Sequence, residues 1–270
     1  MERADRASLI ALPGAYTPTA LQSTGPRLLD EETAHHFRVR RLVVGDMVRV
    51  TDGSGVIGTG PLTTLGKRSA TVEVIEIRHE PEPPPVRLLV PVADRDRTLW
   101  LAEKSAEMGV REWTPLSWHR SRSVSPRGEG ESFRARVRAR MVAALIQSGG
   151  AWLPHLYEDM AGEKFVADQG GNDDGIALLL DANGPPLLAV LAPLLDRPSP
   201  DGEQPRIALA LGPEGGLTEA EVAALVGAGF RSCSLGPRVL RFETAAIAAL
   251  AVIGAAHTKD EPACSPVSQA

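Results

Sequence analysis

The sequence has few cysteines, few aromatic residues and no long apolar run. Cys233 and Cys264 are its 2 cysteines, which is too few for a disulfide framework and suits a reducing compartment. Aromatic residues make up 4% of the chain, so the core must rest on alanine, leucine and valine. The longest apolar run, 245–256, is too short and too rich in alanine to span a bilayer. The mixed charges of the first residues make a poor signal peptide. We therefore expect a soluble, cytoplasmic protein with no membrane partner.

Basic residues are outnumbered by acidic ones, and the net charge is -5. This excess of acid argues against a nucleic-acid binder, but phosphate contacts need only a local basic patch. Two runs of arginines have no acid between them: Arg120, Arg122 and Arg127, followed by Arg134, Arg136, Arg138 and Arg140. Composition leaves two interpretations of these runs open, RNA contacts and an ordinary solvated helix face.

A stretch rich in proline and glutamate, 80–85, divides the chain. Consecutive prolines cannot continue a helix, so this stretch is predicted to be a linker. Before it, short segments rich in valine, threonine and isoleucine alternate with turn signals, which predicts a small β-barrel. After it, apolar strand candidates alternate with helix candidates, which predicts an α/β domain whose parallel sheet has helices on both faces. The predicted divisions are a β-barrel at 1–82, an α/β domain at 83–258 and a disordered tail at 259–270.

The α/β part gives individual predictions. Strands are expected at 86–92, 176–180, 207–211 and 232–235, and helices at 98–108, from 133 onward, at 219–226 and at 244–256. Gly109 is placed as the residue that ends the first of these helices. The second carries Phe133, Val137, Met141 and Leu145 at four-residue steps, which predicts one buried face. The segment 168–175 is predicted to be a surface loop.

A glycine-rich turn follows one predicted strand, in the stretch Leu209 to Glu221. Thr218 with Glu221 forms a capping box that announces a helix. Glycines let the backbone approach a ligand closely, and ligands of parallel α/β sheets collect at the carboxyl ends of strands. A turn that needs glycine for geometry alone remains the alternative. The stretch lacks both the phosphate-loop ending and the dinucleotide-binding glycine pattern, which excludes nucleoside triphosphate and NAD sites of those types.

A second charged turn, Leu235 to Ala245, also follows a strand and opens a helix. Arg238, Arg241 and Glu243 are charged residues in a region that is otherwise apolar on both sides. These residues form either a site or an ordinary set of ion pairs at the start of a helix.

Together the two turns resemble the paired C-terminal signature of the RsmE family. The signature is Gly-Pro-Glu-Gly-Gly at 212–216 followed by Leu-Gly-x-Arg-Val-Leu-Arg-x-Glu-Thr-Ala at 235–245. Earlier segments resemble the family in the same order: His35-His36 with Val39, Arg41, Gly45 and Asp46; Asp96-Arg97 with Glu103-Lys104, Glu107 and Gly109-Val110; and Gln147-Ser148 with Leu153-Pro154. The likeness covers 33–256. The chain departs from the pattern at Gly150, Phe242 and Arg40, where the family usually has arginine, a small residue and leucine.

The resemblance implies a fold and a cofactor. The implied fold is a PUA-like β-barrel followed by a SPOUT domain with a C-terminal trefoil knot, a feature otherwise nearly absent from proteins. The implied state is a homodimer, and the implied cofactor is S-adenosylmethionine. The residues that would line its site are Leu180, Leu211, Gly212, Gly216, Leu235, Gly236, Val239 and Leu240.

The implied activity is methylation of N3 of a uridine in small-subunit ribosomal RNA, free or in the assembled subunit. Arg241 is the residue expected to stabilise the uridine anion, because an arginine stays charged and can hydrogen-bond an oxygen. Glu214 and Glu243 are either bases or partners that fix Arg238 and Arg241. The expected RNA contacts are His36, Arg38, Arg41, Arg120, Arg122 and Arg134.

No metal site is expected, because His35-His36 has no nearby ligand at metal spacing and transfer from a sulfonium needs no Lewis acid. Two other functions remain open. One is a SPOUT enzyme that methylates a ribose 2′-hydroxyl, and the other is an RNA-binding assembly protein that keeps the fold without catalysis. The glycines of both turns, together with Arg241 and Glu243, indicate an intact pocket and so argue against the assembly protein.

Overall fold

The computed structural model describes residues 9–123, 126–168, 175–195 and 204–257. Contacts divide these residues into two compact units that do not follow chain order. The first unit holds the described residues up to Pro83 together with Ala102–Arg111 and Glu131–Leu156, and the second holds the remainder. Most of the predicted loop at 168–175 lies outside the described residues, and so does all of the predicted tail at 259–270.

The N-terminal unit is built on a mixed, mainly antiparallel sheet. Its strands are β1 (Gly14–Tyr16), β2 (Gly25–Leu29), β3 (Met47–Thr51), β4 (Val56–Leu65), β5 (Ala70–Val74) and β6 (Glu76–His79), in the order β1-β3-β4-β5-β2 with β6 on β4. Helix α1 (Glu31–Val39) begins at the N-cap Asp30, whose side chain accepts a hydrogen bond from the backbone N–H of Thr33. The core consists of alternate strand residues, such as Val48 and Val50 of β3, together with Phe37 of α1. The predicted N-terminal β domain is confirmed.

The second sheet is parallel throughout the strand order β10-β8-β7-β12-β11-β13. These strands are β7 (Val86–Pro91), β8 (Glu112–Ser117), β10 (Met160–Ala161), β11 (Gly175–Leu180), β12 (Arg206–Ala210) and β13 (Arg231–Cys233); the two-residue strand β9 (His155–Leu156) precedes β10 in the chain. The helices are α2 (Arg95–Glu107), α3 (Glu131–Ser148), α4 (Gly162–Asp168), α5 (Leu187–Leu195), α6 (Glu219–Gly227) and α7 (Phe242–His257), and a 3-10 helix covers His119–Ser123. The predicted parallel α/β domain is confirmed.

Both faces of the parallel sheet are buried. Leu89, Leu179 and Ala210 share one core cluster with Phe165 of α4 and Leu225 of α6. Their strand neighbours Leu88, Leu178 and Leu209 are also buried, and alternation along a strand directs them to the opposite face. None of the described helices has the length and apolarity that a bilayer crossing requires.

Helix α3 belongs to the N-terminal unit, where it packs against β1. Its predicted stripe of Phe133, Val137, Met141 and Leu145 is buried, as expected. A buried arginine anchors its last turn: Arg49 of β3 is 2% exposed, and its Nη2 donates to the backbone carbonyl of Ile146 at 2.6 Å. A cation is favourable at a helix C-terminus, although burial lowers the pKa of Arg49.

Glu221 connects two strand exits within the C-terminal unit. Its carboxylate accepts hydrogen bonds from the backbone N–H of His119 at 2.7 Å and from the N–H and hydroxyl of Thr218 at 2.7 and 2.8 Å. The predicted capping box is therefore confirmed, and it also holds the residues that follow β8. Burial raises the pKa of Glu221, but the hydrogen bonds from His119 and Thr218 outweigh it, so the pKa is lowered.

We expect Glu221→Gln to lower the free energy of unfolding at neutral pH by about 1–2 kcal/mol. Because the folded-state pKa is lowered, the carboxylate contributes its stability above the unfolded glutamate pKa of about 4.3. That contribution is lost as the pH falls through the folded-state pKa. Urea unfolding at several pH values checks this. Glu219→Gln, an exposed change in the same helical turn, is the control, and a difference between Glu221→Gln and wild type that does not shrink in acid would contradict the prediction.

Candidate functional site

The carboxyl ends of several parallel strands bring the predicted turns together. Strand β11 lies between β12 and β13, with Leu178 opposite Leu209 on one side and Arg231 on the other. Parallel strands end at the same edge of a sheet, so the segments 181–186, 211–218 and 234–241 all leave from one edge. This is the edge at which ligands bind in open α/β sheets.

The segment after β12 is a tight turn held close to its own strand. Leu211 is buried, and its N–H donates to the carbonyl of Leu89 at 3.2 Å. Gly216 has φ +73°, a conformation that favours glycine, and its N–H donates to the carbonyl of Pro213 at 2.8 Å. A Cβ on Gly212 would lie 3.3 Å from Cγ of Leu217. Glycine therefore serves the geometry of this turn.

Arg120 contacts this turn from the 3-10 helix after β8. Its Nη1 donates to the carbonyl of Gly215 at 2.6 Å and to that of Leu217 at 3.4 Å. A Cβ on Gly215 would lie 3.2 Å from Cβ of Arg120. Arg120 thus braces the glycine-rich turn, a role that its place in an arginine run did not suggest. The side chain of Arg122, in the same 3-10 helix, is outside the described part of the chain.

The segment after β11 is joined to the strand end of β13 by backbone hydrogen bonds. Asp181 N–H donates to the carbonyl of Cys233 at 2.9 Å, and Ser234 N–H donates to that of Pro185 at 2.7 Å. Gly184 permits this contact, because a Cβ there would lie 2.6 Å from the backbone nitrogen of Cys233. Leu180, the partly buried last residue of β11, leads into this segment. Two of the three turns are therefore held in a fixed relation.

The turn after β13 exposes apolar side chains. Val239 is 88% exposed and Leu240 37% exposed, while Leu235 is half-buried. Gly236 has φ +126°, and a Cβ there would meet no atom within 4 Å. Large exposed aliphatic groups beside an open glycine indicate a surface that a ligand can cover.

The predicted catalytic residues lie on or directly after two of these turns, in contrasting environments. Arg241 is exposed directly before α7, and Glu243 in the first turn of that helix is 9% exposed. Among the described residues, Oε2 of Glu243 has no hydrogen-bond partner. Glu214 is exposed, and its Oε1 accepts a long hydrogen bond, 3.4 Å, from the N–H of Asp94. Within 204–257 neither carboxylate forms an ion pair with Arg238 or Arg241.

The nearby thiol of Cys233 is unsuited to nucleophilic chemistry. Cys233 is fully buried, and burial raises the pKa of its thiol to about 12. The thiolate is the reactive form, so this residue has a packing role. Across the described ranges, no group of three or more histidine, cysteine or carboxylate side chains is arranged to hold a metal ion.

Three of the predicted RNA contacts lie at and just after the end of α1. His36, Arg38 and Arg41 are exposed. The pKa of His36 is lowered, first by burial and then by the charges of Arg40 and His35, so it is mainly neutral at pH 7. Arg38 donates from Nη2 to the carbonyl of Lys67 at 3.1 Å.

Arg41 has a left-handed backbone, with φ +61°. Its N–H donates to the carbonyl of Arg38, and Leu42 N–H donates to that of Phe37. This is the Schellman arrangement that usually ends a helix with glycine. Arginine therefore occupies a position at which the backbone favours glycine.

Arg134 is half-buried on α3 and lines a cleft in the N-terminal unit. The same cleft contains Arg138, Tyr16 and His155, which the sequence interpretation did not select. Arg134 and Arg138 are four residues apart and so share one face of the helix, a spacing that was visible in the sequence.

The departures from the expected pattern lie in ordinary structural positions. A Cβ on Gly150 would approach Cδ1 of Leu145 to 2.8 Å, so a larger residue requires Leu145 to move. Phe242 is buried in α7. Arg40 is the exposed C-cap residue of α1.

Models of known families match most of this chain. The model of the RNA methyltransferase domain matches residues 80–254, and that of the RNA methyltransferase PUA domain matches residues 29–75. A Synechocystis protein named ribosomal RNA small subunit methyltransferase E is 29% identical over 81% of this chain and 69% of its own length. A Bacillus subtilis protein of the same name is 26% identical over 83% of this chain and 87% of its own length.

Two solved structures share the fold. One is a Legionella pneumophila protein with bound SAM, with a TM-score of 0.77, 26% identity, and coverage of 91% of this chain and 98% of that one. The other is a ribosomal RNA small subunit methyltransferase E from Neisseria gonorrhoeae bound to S-adenosyl methionine, with a TM-score of 0.77, 26% identity, and coverage of 90% and 97%.

We expect Gly184→Ala to lower the free energy of unfolding by about 1–3 kcal/mol, because the new methyl group collides with the backbone of Cys233. Gly227→Ala is the matched control, since a Cβ there would meet nothing within 4 Å, and it should change stability by at most about 1 kcal/mol. Thermal and urea unfolding measure both. Equal stability of the two variants would show that the segment after β11 is not held as described.

Proposed function

This chain belongs to the RNA methyltransferase family, and we propose that it methylates N3 of a uridine in small-subunit ribosomal RNA with S-adenosylmethionine as the methyl donor. The observation that carries the proposal is the meeting of the turns after β11, β12 and β13 at one edge of the sheet. The names of the curated relatives support the rRNA substrate, and the bound ligand of two structural neighbours supports the methyl donor.

The residues at this edge fit the cofactor. Glycine backbones give access for an adenine, and uncovered aliphatic side chains give it apolar contact. The residues that would hold it are Leu180, Leu211, Gly212, Gly216, Leu235, Gly236, Val239 and Leu240. S-adenosylmethionine supplies a methyl group on a sulfonium, which needs no metal.

Arg241 and the two glutamates supply the groups that the acceptor needs. N3 of uridine lies on the Watson–Crick edge, so the base must be unpaired when it reacts. We assign Arg241 to the uridine oxygen, where an exposed guanidinium stabilises the anion that forms when N3 loses its proton. Glu243 is the better placed of the two candidate bases, because its buried Oε2 has no partner among the described residues. Glu214 already accepts a hydrogen bond from Asp94.

RNA contacts are assigned to both units. His36, Arg38 and Arg41 lie within the segment that matches the PUA domain. Arg120, Arg122 and Arg134 complete the proposed set, and Arg120 would bind RNA only with the part of its guanidinium that the glycine-rich turn leaves open. We also propose the trefoil knot, a homodimer and a cytoplasmic location, in line with the RsmE resemblance. Sedimentation tests the homodimer.

The direct test is methyl transfer in vitro. Small ribosomal subunits that lack the modification, and the free RNA, are incubated with the protein and methyl-labelled S-adenosylmethionine, and the nucleosides are separated by mass. We expect label in 3-methyluridine. Label in a ribose methyl would identify a 2′-hydroxyl enzyme, and no label from protein that is folded would favour the assembly protein.

We expect Arg241→Ala to lower kcat by about 100- to 1000-fold, because it removes a charge that stabilises the anion. Affinity for S-adenosylmethionine, measured by calorimetry, should stay within about twofold, since the backbone and aliphatic contacts remain. Arg231→Ala, an exposed change at the opposite end of β13, is the control. Unchanged kcat in Arg241→Ala would remove this residue from the mechanism.

We expect Arg41→Gly to stabilise the protein while weakening RNA binding. Glycine relieves the left-handed backbone and should raise the free energy of unfolding by up to about 1 kcal/mol. Loss of one phosphate contact should reduce the slope of log RNA affinity against log salt concentration by about one. Urea unfolding and RNA titrations at several salt concentrations measure the two effects. Arg41→Lys keeps the charge and should change neither, and a stabilised Arg41→Gly with full RNA affinity would mean that Arg41 does not contact RNA.

A further inference from the structure

A cleft of about 500 Å³ opens in the N-terminal unit. None of the residues that line it belongs to the turns of the candidate site. This volume is in the range of roughly 300–1,000 Å³ found for small-molecule sites. Its walls come from the end of β1, the turn after β3, the first half of α3 and the segment 153–156. The residues that matter here are Tyr16, Gly53, Arg134, Arg138, Leu153 and His155.

Tyr16 gives the cleft an aromatic wall. Its ring is half-buried, and a Cβ on Gly53 would lie 3.1 Å from Cε2 of the ring and 3.0 Å from Cβ of Leu153. Gly53, with φ +76°, thus lets ring and leucine pack closely. The Tyr16 hydroxyl accepts a hydrogen bond from Nη2 of Arg138 at 2.9 Å, and the guanidinium carbon lies 6.0 Å from the ring centroid. Ring and guanidinium are therefore held in a fixed relation.

The cleft also carries positive charge. Arg134 and Arg138 project from one face of α3, one helical turn apart. The partner of Arg138 is a neutral hydroxyl, so its charge is not cancelled there. Two acidic residues also line the cleft. Glu131 is exposed at the start of the helix, and Asp52 is buried. The carboxylate of Asp52 already accepts hydrogen bonds from the N–H groups of Leu21, Ser54 and Val56.

The helix that forms one wall of the cleft is anchored to the sheet. Buried Arg49 holds the last turn of α3 to the sheet through Ile146. Gly149 makes room for it, because a Cβ there would lie inside contact distance, 2.4 Å, of its Nη1. The helix that carries Arg134 and Arg138 is thereby held to the sheet at its C-terminal end.

We propose that this cleft binds an unpaired nucleotide of the RNA substrate, with the base against Tyr16 and the phosphates at Arg134 and Arg138. An aromatic ring beside arginines is the arrangement that binds single-stranded RNA, since any base can stack on the ring while the cations track the backbone. The proposal rests on the proposed RNA substrate, and it assigns to RNA three side chains beyond Arg134: Tyr16, Arg138 and His155.

The test uses the full chain and a fluorescein-labelled single-stranded oligoribonucleotide of the small-subunit rRNA sequence, with the same strand annealed to its complement for comparison. Tyr16→Ala should weaken single-strand binding about tenfold, and Tyr16→Phe, which keeps the ring, should stay within about threefold of wild type. Arg138→Ala should weaken it about tenfold and reduce the slope of log affinity against log salt by about one. Each loss should be smaller on the duplex.

Arg136→Ala is the matched control, because Arg136 is exposed on the same helix and does not line the cleft. Its affinity should stay within about threefold of wild type, as for an ordinary surface charge. If Arg138→Ala and Tyr16→Ala bind like wild type, or if Arg136→Ala loses as much as Arg138→Ala, the cleft is not a nucleotide site.

Two further measurements separate this proposal from the proposed function. Methyl transfer and S-adenosylmethionine binding by the wild-type protein test the function without reference to the cleft. The cleft variants should keep cofactor affinity and kcat while KM for RNA rises about tenfold. A wild-type protein that binds the oligonucleotide through the cleft but transfers no methyl would overturn the function alone, and an active wild type whose cleft variants match it would overturn the cleft alone.

Discussion

The arrangement of the C-terminal unit depends on the buried carboxylate of Glu221. One oxygen accepts from the N–H of His119, after β8, and the other from Thr218, after β12. A buried carboxylate is tolerated only when such donors satisfy it, and here they lower its pKa despite burial. Two strand exits that are far apart in sequence are therefore fixed to one another, and the glycine-rich turn between Leu211 and Thr218 is held at both ends.

The other turns of the site are fixed by backbone contacts that only small residues allow. Gly184 brings the segment after β11 against Cys233, and Gly215 brings the glycine-rich turn against Arg120. By contrast, the turn after β13 leaves Val239 uncovered. The candidate site thus combines turns held by backbone contacts with an exposed apolar surface that a ligand can bury.

The N-terminal unit uses arginines in two distinct ways. Arg49 is buried and holds the end of α3. Arg134 and Arg138 of the same helix line an open cleft, and Arg41 is kept in a backbone conformation that favours glycine. The first contributes to structure, and the others are the residues that we propose to contact RNA. A net charge of -5 is compatible with RNA binding because the positive groups are local.

The sequence alone determined the β and α/β parts of the fold, the capping box at Thr218, the buried stripe of α3 and the family, because these depend on local periodicity, turn chemistry and contiguous motifs. It did not show that α3 belongs to the N-terminal unit. It did not reveal strand β8, since Pro115 within it argues against a central strand, nor helix α5, whose uniformly apolar residues show no period. The partners of Arg120, Arg49 and Tyr16 were decided only by the tertiary structure. Each of those contacts joins residues far apart in the chain, up to 122 positions in the case of Tyr16 and Arg138. Local pattern carries no information about such pairings until the strands have been placed side by side.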